Sequence, residues 1–235
     1  MTRFALDPAA EIKTQRQGCE AEIVIIADNA VTDAQSLVDY AASLSFGRIG
    51  PYYPGIRAAT DAAFHQSAID ACGAIIDAHT GSAARTWKGD CCFSIVTTPP
   101  NGLLPIQRFP HFDGIEENRY AALLYLCGSD FGGTAFYRHK ATGFETVGAD
   151  RYTQFKTALE SEVRRDGLPP AAYINDGAPF FEKIAEYDAA MNRMLIYRGK
   201  TFHCSRIARP DLLTPDPRHG RLTLNLFLTP GNARQ

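Results

Sequence analysis

The sequence has no stretch in which lysine and arginine gather. Its basic residues are scattered among acidic ones and the formal charge is −2, so it offers no electrostatic footprint for a nucleic-acid backbone. A long apolar run is also missing. Nothing approaches the length needed to span a bilayer, and the opening residues MTRFALDPAAEIKTQRQG hold no apolar core of the kind a secretory signal requires. Six cysteines in 235 residues are too sparse for a disulfide scaffold. Cys91 and Cys92 are adjacent, so in a strand they point to opposite faces, and neither has a partner at Cys-x-x-Cys spacing. A zinc–thiolate site is therefore not expected. There is no internal repeat and no low-complexity tract. These absences leave a cytoplasmic protein with reduced thiols and no membrane or nucleic-acid partner as the expectation.

What is present is enough for one core. With 45% hydrophobic and 21% charged residues, the chain reads as a single domain over residues 1–235, two smaller ones being the alternative. Periodicity divides it into zones. Residues 1–90 read as helical support: TDAQSLVDYAASLSF places Leu37, Tyr40, Ala41 and Leu44 on one face behind Thr32 as an N-cap, and TDAAFHQSAIDACGAIIDAHTG starts at Thr60 and stops near Gly81. Between them GPYYPGIRAA is dense in proline and glycine and reads as an ordered loop.

From residue 91 the period changes to that of strands. Residues 91–97, 103–109, 119–127 and 133–138 are short, rich in β-formers and separated by Pro, Gly and Asp. A helical insert is expected over 139–190, after which RMLIYR, TFHCSRIA and RLTLNLFLTP read as strands. The fold class is then mainly β with flanking helices, a double-sheet jelly roll braced by N-terminal helices.

Within the β zone, QRFPHFDGIEE puts His111 and Asp113 two residues apart. In an extended segment side chains at i and i+2 lie on one face, so imidazole and carboxylate point to one spot. A polar strand end running into a turn would look the same. A metal needs a third ligand, and of the other histidines only His203 lies in an expected late strand. Two histidines and one carboxylate on one face of an octahedron leave three positions open, which suits non-haem iron(II) binding a co-substrate and dioxygen together. Downstream, RLTLNLFL alternates Arg221, Thr223 and Asn225 against Leu222, Leu224, Leu226 and Leu228. An exposed edge strand gives the same pattern. In a buried site the planar fork of Arg221 would instead pair with a carboxylate of a dicarboxylic co-substrate.

On these residues the chain resembles the iron(II)- and 2-oxoglutarate-dependent dioxygenases, most closely their prolyl 4-hydroxylase-like branch. The resemblance runs over roughly residues 20–230 and rests on HFD, TFHCS, RLT and LLYLCGSDFGGTAFY, the last similar to that branch's Tyr-Leu motif followed by an acidic turn and a Gly-Gly pair. It implies a double-stranded β-helix, with His111, Asp113 and His203 as catalytic iron ligands. Arg221 would hold the distal carboxylate of 2-oxoglutarate, assisted by Tyr125 and Thr223. It further implies Fe(II), 2-oxoglutarate and dioxygen as cofactor and co-substrates, and hydroxylation of an unactivated C–H bond. Related halogenases lack the carboxylate ligand, so Asp113 favours hydroxylation. The long insert and the long segment between His203 and Arg221 depart from some members, and such segments cover the barrel mouth, so substrate identity does not carry over.

The mixed charge of the insert favours a small molecule or an amino-acid or peptide side chain as substrate; the oligomeric state is not readable from the sequence. Gln107 shares the parity of His111 and would face either the cavity or solvent. Cys204 flanks His203 but alternation turns it away. Trp87, Tyr52 and Tyr53 read as core or loop anchors or as an entrance, and Arg57 as a surface ion pair or a substrate-anion contact. Two other classes fit the residues: a cupin-like metalloenzyme that does not use 2-oxoglutarate, and a non-catalytic interaction module on the same fold.

Overall fold

The computed structural model describes residues 3–82, 84 and 86–231. It is mainly β. Ten strands form two antiparallel sheets, and three α-helices accompany them among the described residues. The strands are β1 (Glu11–Gln17), β2 (Glu22–Asp28), β3 (Gly55–Ala59), β4 (Trp87–Val96), β5 (Tyr120–Tyr125), β6 (Gly133–His139), β7 (Phe181–Asp188), β8 (Met194–Arg198), β9 (His203–Arg206) and β10 (Arg221–Pro230). The helices are α1 (Ala34–Ala42), α2 (Ala62–Thr80) and α3 (Tyr152–Asp166). The larger sheet runs β1-β2-β8-β5-β10-β4-β3 and the smaller β7-β6-β9.

Strand β10 shows why the two sheets meet. Its leucines at 222, 224, 226 and 228 are fully buried on one face, packed with Ile69, Cys72, Ile75 and Ile76 of α2. Burying each such side chain contributes about 1.5–3 kcal/mol. The opposite face carries Arg221, Thr223 and Asn225, and these are buried too. With β4 on one side and β5 on the other, β10 is a central strand; the edge-strand reading of RLTLNLFL is excluded. That second face meets the smaller sheet through a cluster of Val24, Ile26, Tyr125, Leu195 and Tyr197 with Phe136 of β6 and Tyr187 of β7. The outer face of the smaller sheet is covered in turn by Phe155 of α3, packed with Tyr137, Phe181 and Phe202.

Several sequence expectations change. Residues 1–90 are not wholly helical, because β1, β2 and β3 lie among them and extend the larger sheet at both ends. The expected strand at 103–109 is instead a 3-10 turn over Pro105–Arg108, following another at Pro100–Gly102. Pro105 fixes φ and removes an N–H donor inside that segment, and Pro110 bounds it. Gln107 therefore does not face the cavity; its amide bonds the Leu104 N–H and the Pro51 carbonyl. The 139–190 insert holds α3 but ends in β7, which pairs with β6. Both N-caps sit one residue later than expected, at Asp33 and Asp61, whose carboxylates accept from Ser36 and from Ala63 and Phe64. Helix α2 stops at Gly81 in the left-handed conformation, as read. Trp87 is a core residue bonded to Asp77, whereas Tyr52 is exposed. No helix among the described residues is long and apolar enough to cross a membrane.

Candidate metal centre

His111 and His203 face each other across an antiparallel bridge, exchanging both backbone hydrogen bonds at 2.9 and 2.8 Å. Their rings lie 4.4 Å apart between centroids. The Asp113 N–H donates to the Gly199 carbonyl at 2.7 Å, which keeps the chain extended beyond His111 and carries the period-two geometry through to the carboxylate. Strand β9 delivers His203 from the smaller sheet: it pairs with Phe136, on the inter-sheet face, while Cys204 pairs with Ala135 and packs outward. The alternation expected for Cys204 is thus what the fold has.

The three groups converge. One ligand atom from each of His111, Asp113 and His203 lies within 4.8 Å of the other two. His111 Nε2 is 3.8 Å from Asp113 Oδ1, and His203 Nε2 is 3.5 Å from Asp113 Oδ2. Burial is graded, with side chains of Asp113 and His203 12% and 7% exposed and His111 53% exposed, so the site is open on the His111 side. His203 Nδ1 lies 2.9 Å from the Thr201 carbonyl. A carbonyl only accepts, so Nδ1 carries the proton and Nε2 presents its lone pair to Asp113.

Electrostatics favour the neutral imidazoles that a metal requires. Burial lowers His203 to about 4. His111 is pushed in the same direction by the protein around it and by the neighbouring His203, but half of its side chain is open to solvent, which moderates the effect. Burial pushes the Asp113 carboxyl up, against the pull of His111, Arg119 and Arg57. Asp113 Oδ2 is buried with no hydrogen-bond partner, a costly state for a carboxylate oxygen. A divalent cation held by the two imidazoles and this oxygen would resolve that cost, and the three groups could hold a metal ion.

Behind the triad, Arg221 is 1% exposed. Its Nε and Nη2 donate to the carbonyls of Phe131 and Gly133 at 3.2 and 2.9 Å. Among the described residues no carboxylate lies within ion-pair distance of it. Gly132 makes this arrangement possible: its φ is +91°, and a Cβ there would fall 2.0 Å from the Arg206 carbonyl oxygen. Tyr125 lies with its ring 5.7 Å from the Arg221 guanidinium and its hydroxyl 2.6 Å from Thr134 Oγ1. Thr223 is fully buried and donates to the Ser94 carbonyl at 3.4 Å. All six expected site residues therefore border the space between the sheets, in two groups: the triad, and Arg221 with Tyr125 and Thr223.

Tyr197 was not anticipated from sequence. Its ring meets His203 edge-on at 4.8 Å. Burial raises its hydroxyl well above the usual range, with the charges of Asp113 and Arg221 also acting on it. The signal was its parity in RMLIYR, which shares the inward face with Leu195.

Residues 8–228 match the model of a family of unknown function, DUF6445. The chain belongs to that family. It matches no curated protein.

Proposed function

We propose that this protein is an iron(II)- and 2-oxoglutarate-dependent oxygenase, built on a double-stranded β-helix, that hydroxylates an unactivated C–H bond of a small molecule or of an amino-acid or peptide side chain. A triad alone suits many metalloenzymes. The observation that carries this reading is the buried Arg221 with no carboxylate partner among the described residues, on the face of the larger sheet that meets the smaller sheet bearing His203. A buried cation of this kind calls for an anion, and a dicarboxylic co-substrate reaching from the metal to the guanidinium provides one.

Each residue has a task in this scheme. His111, Asp113 and His203 hold the metal on one face, leaving the other open. The Thr201 carbonyl fixes the His203 tautomer. Arg221 takes the distal carboxylate with the donor capacity that Phe131 and Gly133 leave free, and Tyr125 and Thr223 line its approach. Phe136, Tyr197 and Leu195 keep the space apolar, which excludes water from the reacting centre. Iron(II) with 2-oxoglutarate and dioxygen supplies, when bound, an oxidant strong enough to take hydrogen from an unactivated C–H bond.

One observation favours a second reading. Arg221 already donates to two backbone carbonyls, as a purely structural arginine would, and a cupin-like metalloenzyme without 2-oxoglutarate would look the same. Anaerobic calorimetry separates the two. Titration of 2-oxoglutarate into the Fe(II)-loaded protein is expected to show one site, weakened in Arg221→Ala. Absence of binding to the loaded wild-type protein would leave the second reading.

A further inference from the structure

Arg57 lies on β3, at the edge of the larger sheet. The register Arg57–Ser94–Thr223–Tyr125 runs straight across β3, β4, β10 and β5, so Arg57 shares the inter-sheet face with the residues around Arg221. Its guanidinium lies 4.3 Å from the centroid of the Tyr53 ring. Arg57 Nε is buried with no hydrogen-bond partner. Among the described residues no carboxylate lies within ion-pair distance of this side chain, so the surface ion pair considered from sequence is not what it makes. The Tyr53 hydroxyl, beside Ser94, is likewise buried without a well-formed hydrogen bond. Two donors left unpaired in one place are costly unless an acceptor joins them.

Arg57 and Arg221 are thus two guanidinium groups on one sheet face, neither with a carboxylate partner among the described residues. 2-Oxoglutarate carries two carboxylates. In the reading above one goes to the metal and one to Arg221, and neither is left for Arg57.

We infer that Arg57 and the Tyr53 hydroxyl form a second anion subsite, on the inner sheet face that carries Arg221, that takes a carboxylate of the primary substrate. The substrate class is then a carboxylate-bearing one, with a small carboxylic acid as its simplest member. The assignment to the substrate rests on the 2-oxoglutarate reading; the existence of the subsite does not. Stacking on Tyr53 holds the fork in place.

The test follows the arginine Nε–H resonances of the full chain by 1H–15N NMR, with Arg57→Lys used to assign the Arg57 signal. Acetate is the probe, titrated at constant ionic strength against chloride, into protein that is metal-free, Zn(II)-loaded, and Zn(II)-loaded with 2-oxoglutarate. The expected result is a saturable shift of the Arg57 signal by acetate, with half-saturation in the millimolar range, retained when 2-oxoglutarate is bound. Followed instead by the backbone amide signals of Tyr53 and Ser94, Arg57→Gln should weaken acetate binding at least tenfold with an unchanged amide spectrum elsewhere, and Arg57→Lys should restore part of it. A shift no larger than that from chloride would overturn the subsite. Loss of the acetate response on adding 2-oxoglutarate would assign Arg57 to the co-substrate and overturn its role toward the primary substrate. Failure of Zn(II) to move the His111 and His203 imidazole signals would count against the metal reading alone, since the metal-free titration still decides the subsite.

Discussion

The two faces of the larger sheet are made by the same strands read at alternate positions, and they behave as different materials. On the helix side, Leu222, Leu224, Leu226 and Leu228 join Phe64, Ile69, Phe93 and Ile95 in a dry core. On the inner side, Arg221, Thr223, Asn225 and Arg57 stand among aromatics, and Asp113 Oδ2, Asn225 Oδ1, Arg57 Nε and the Tyr53 hydroxyl are buried without partners. Apolar burial stabilises in proportion to area, whereas each unpaired polar atom costs on the order of 1–3 kcal/mol. The outer face therefore carries the stability that the inner face spends on a site. Stability and chemistry are separated by one residue of register.

The comparison can be broken from either side. The largest expected effect is on metal: His111→Ala or His203→Ala should abolish iron retention and 2-oxoglutarate turnover together, measured by metal analysis of the purified variants and by succinate formation. Turnover at the wild-type rate in either variant would remove the site. Asp113→Ala should lose hydroxylation while retaining weak metal binding through the imidazoles. On the outer face, Leu224→Ala should cost about 2–5 kcal/mol of folding stability, read by denaturant unfolding, with no change in metal affinity of the folded molecules. A loss of affinity there would mean that the two faces are coupled.

Arg221→Ala should weaken 2-oxoglutarate binding by about 2–5 kcal/mol, and lysine should rescue it only in part because an ammonium lacks the planar fork. Unchanged affinity would make the arginine a structural clamp for the Phe131–Gly133 turn. The smallest effect is on pH. His203 is lowered by burial in the folded protein from 6.5 to about 4, so the unfolded chain takes up this proton first as pH falls. Metal-free protein should thus keep the full contribution above about pH 6.5 and lose stability progressively toward pH 4. His203→Gln should flatten that slope. An equal slope in wild type and variant would show that His203 is not held neutral by burial.

Much of the inner face was legible because strand periodicity is simple. His111 and Asp113 share a face at any register that keeps the segment extended, and His203 could be chosen because it alone of the remaining histidines sat in a β-like segment. Arg221 followed from alternation in β10. What was not legible depended on tertiary pairing. The sequence of β1, EIKTQRQ, is polar and mostly exposed, so it carries no alternation to read, and it is held by its ladder with β2. β2 itself, EIVIIAD, is an apolar run whose period does not separate a buried strand from a helix. The segment at 103–109 had the composition of a strand, but Pro105 opens a 3-10 turn within it. Tyr53 and Arg57 looked like loop residues because nothing in GPYYPGIRAA shows that its end adds an edge strand facing the site.

The most direct measurement is anaerobic optical spectroscopy of the full chain with Fe(II), before and after addition of 2-oxoglutarate. The account predicts a metal-to-ligand charge-transfer band that appears only when both are present, at one equivalent of each, and that is absent in His203→Ala. Iron bound tightly with no such band on adding 2-oxoglutarate would contradict the central claim, leaving a metal centre that does not take a 2-oxo acid.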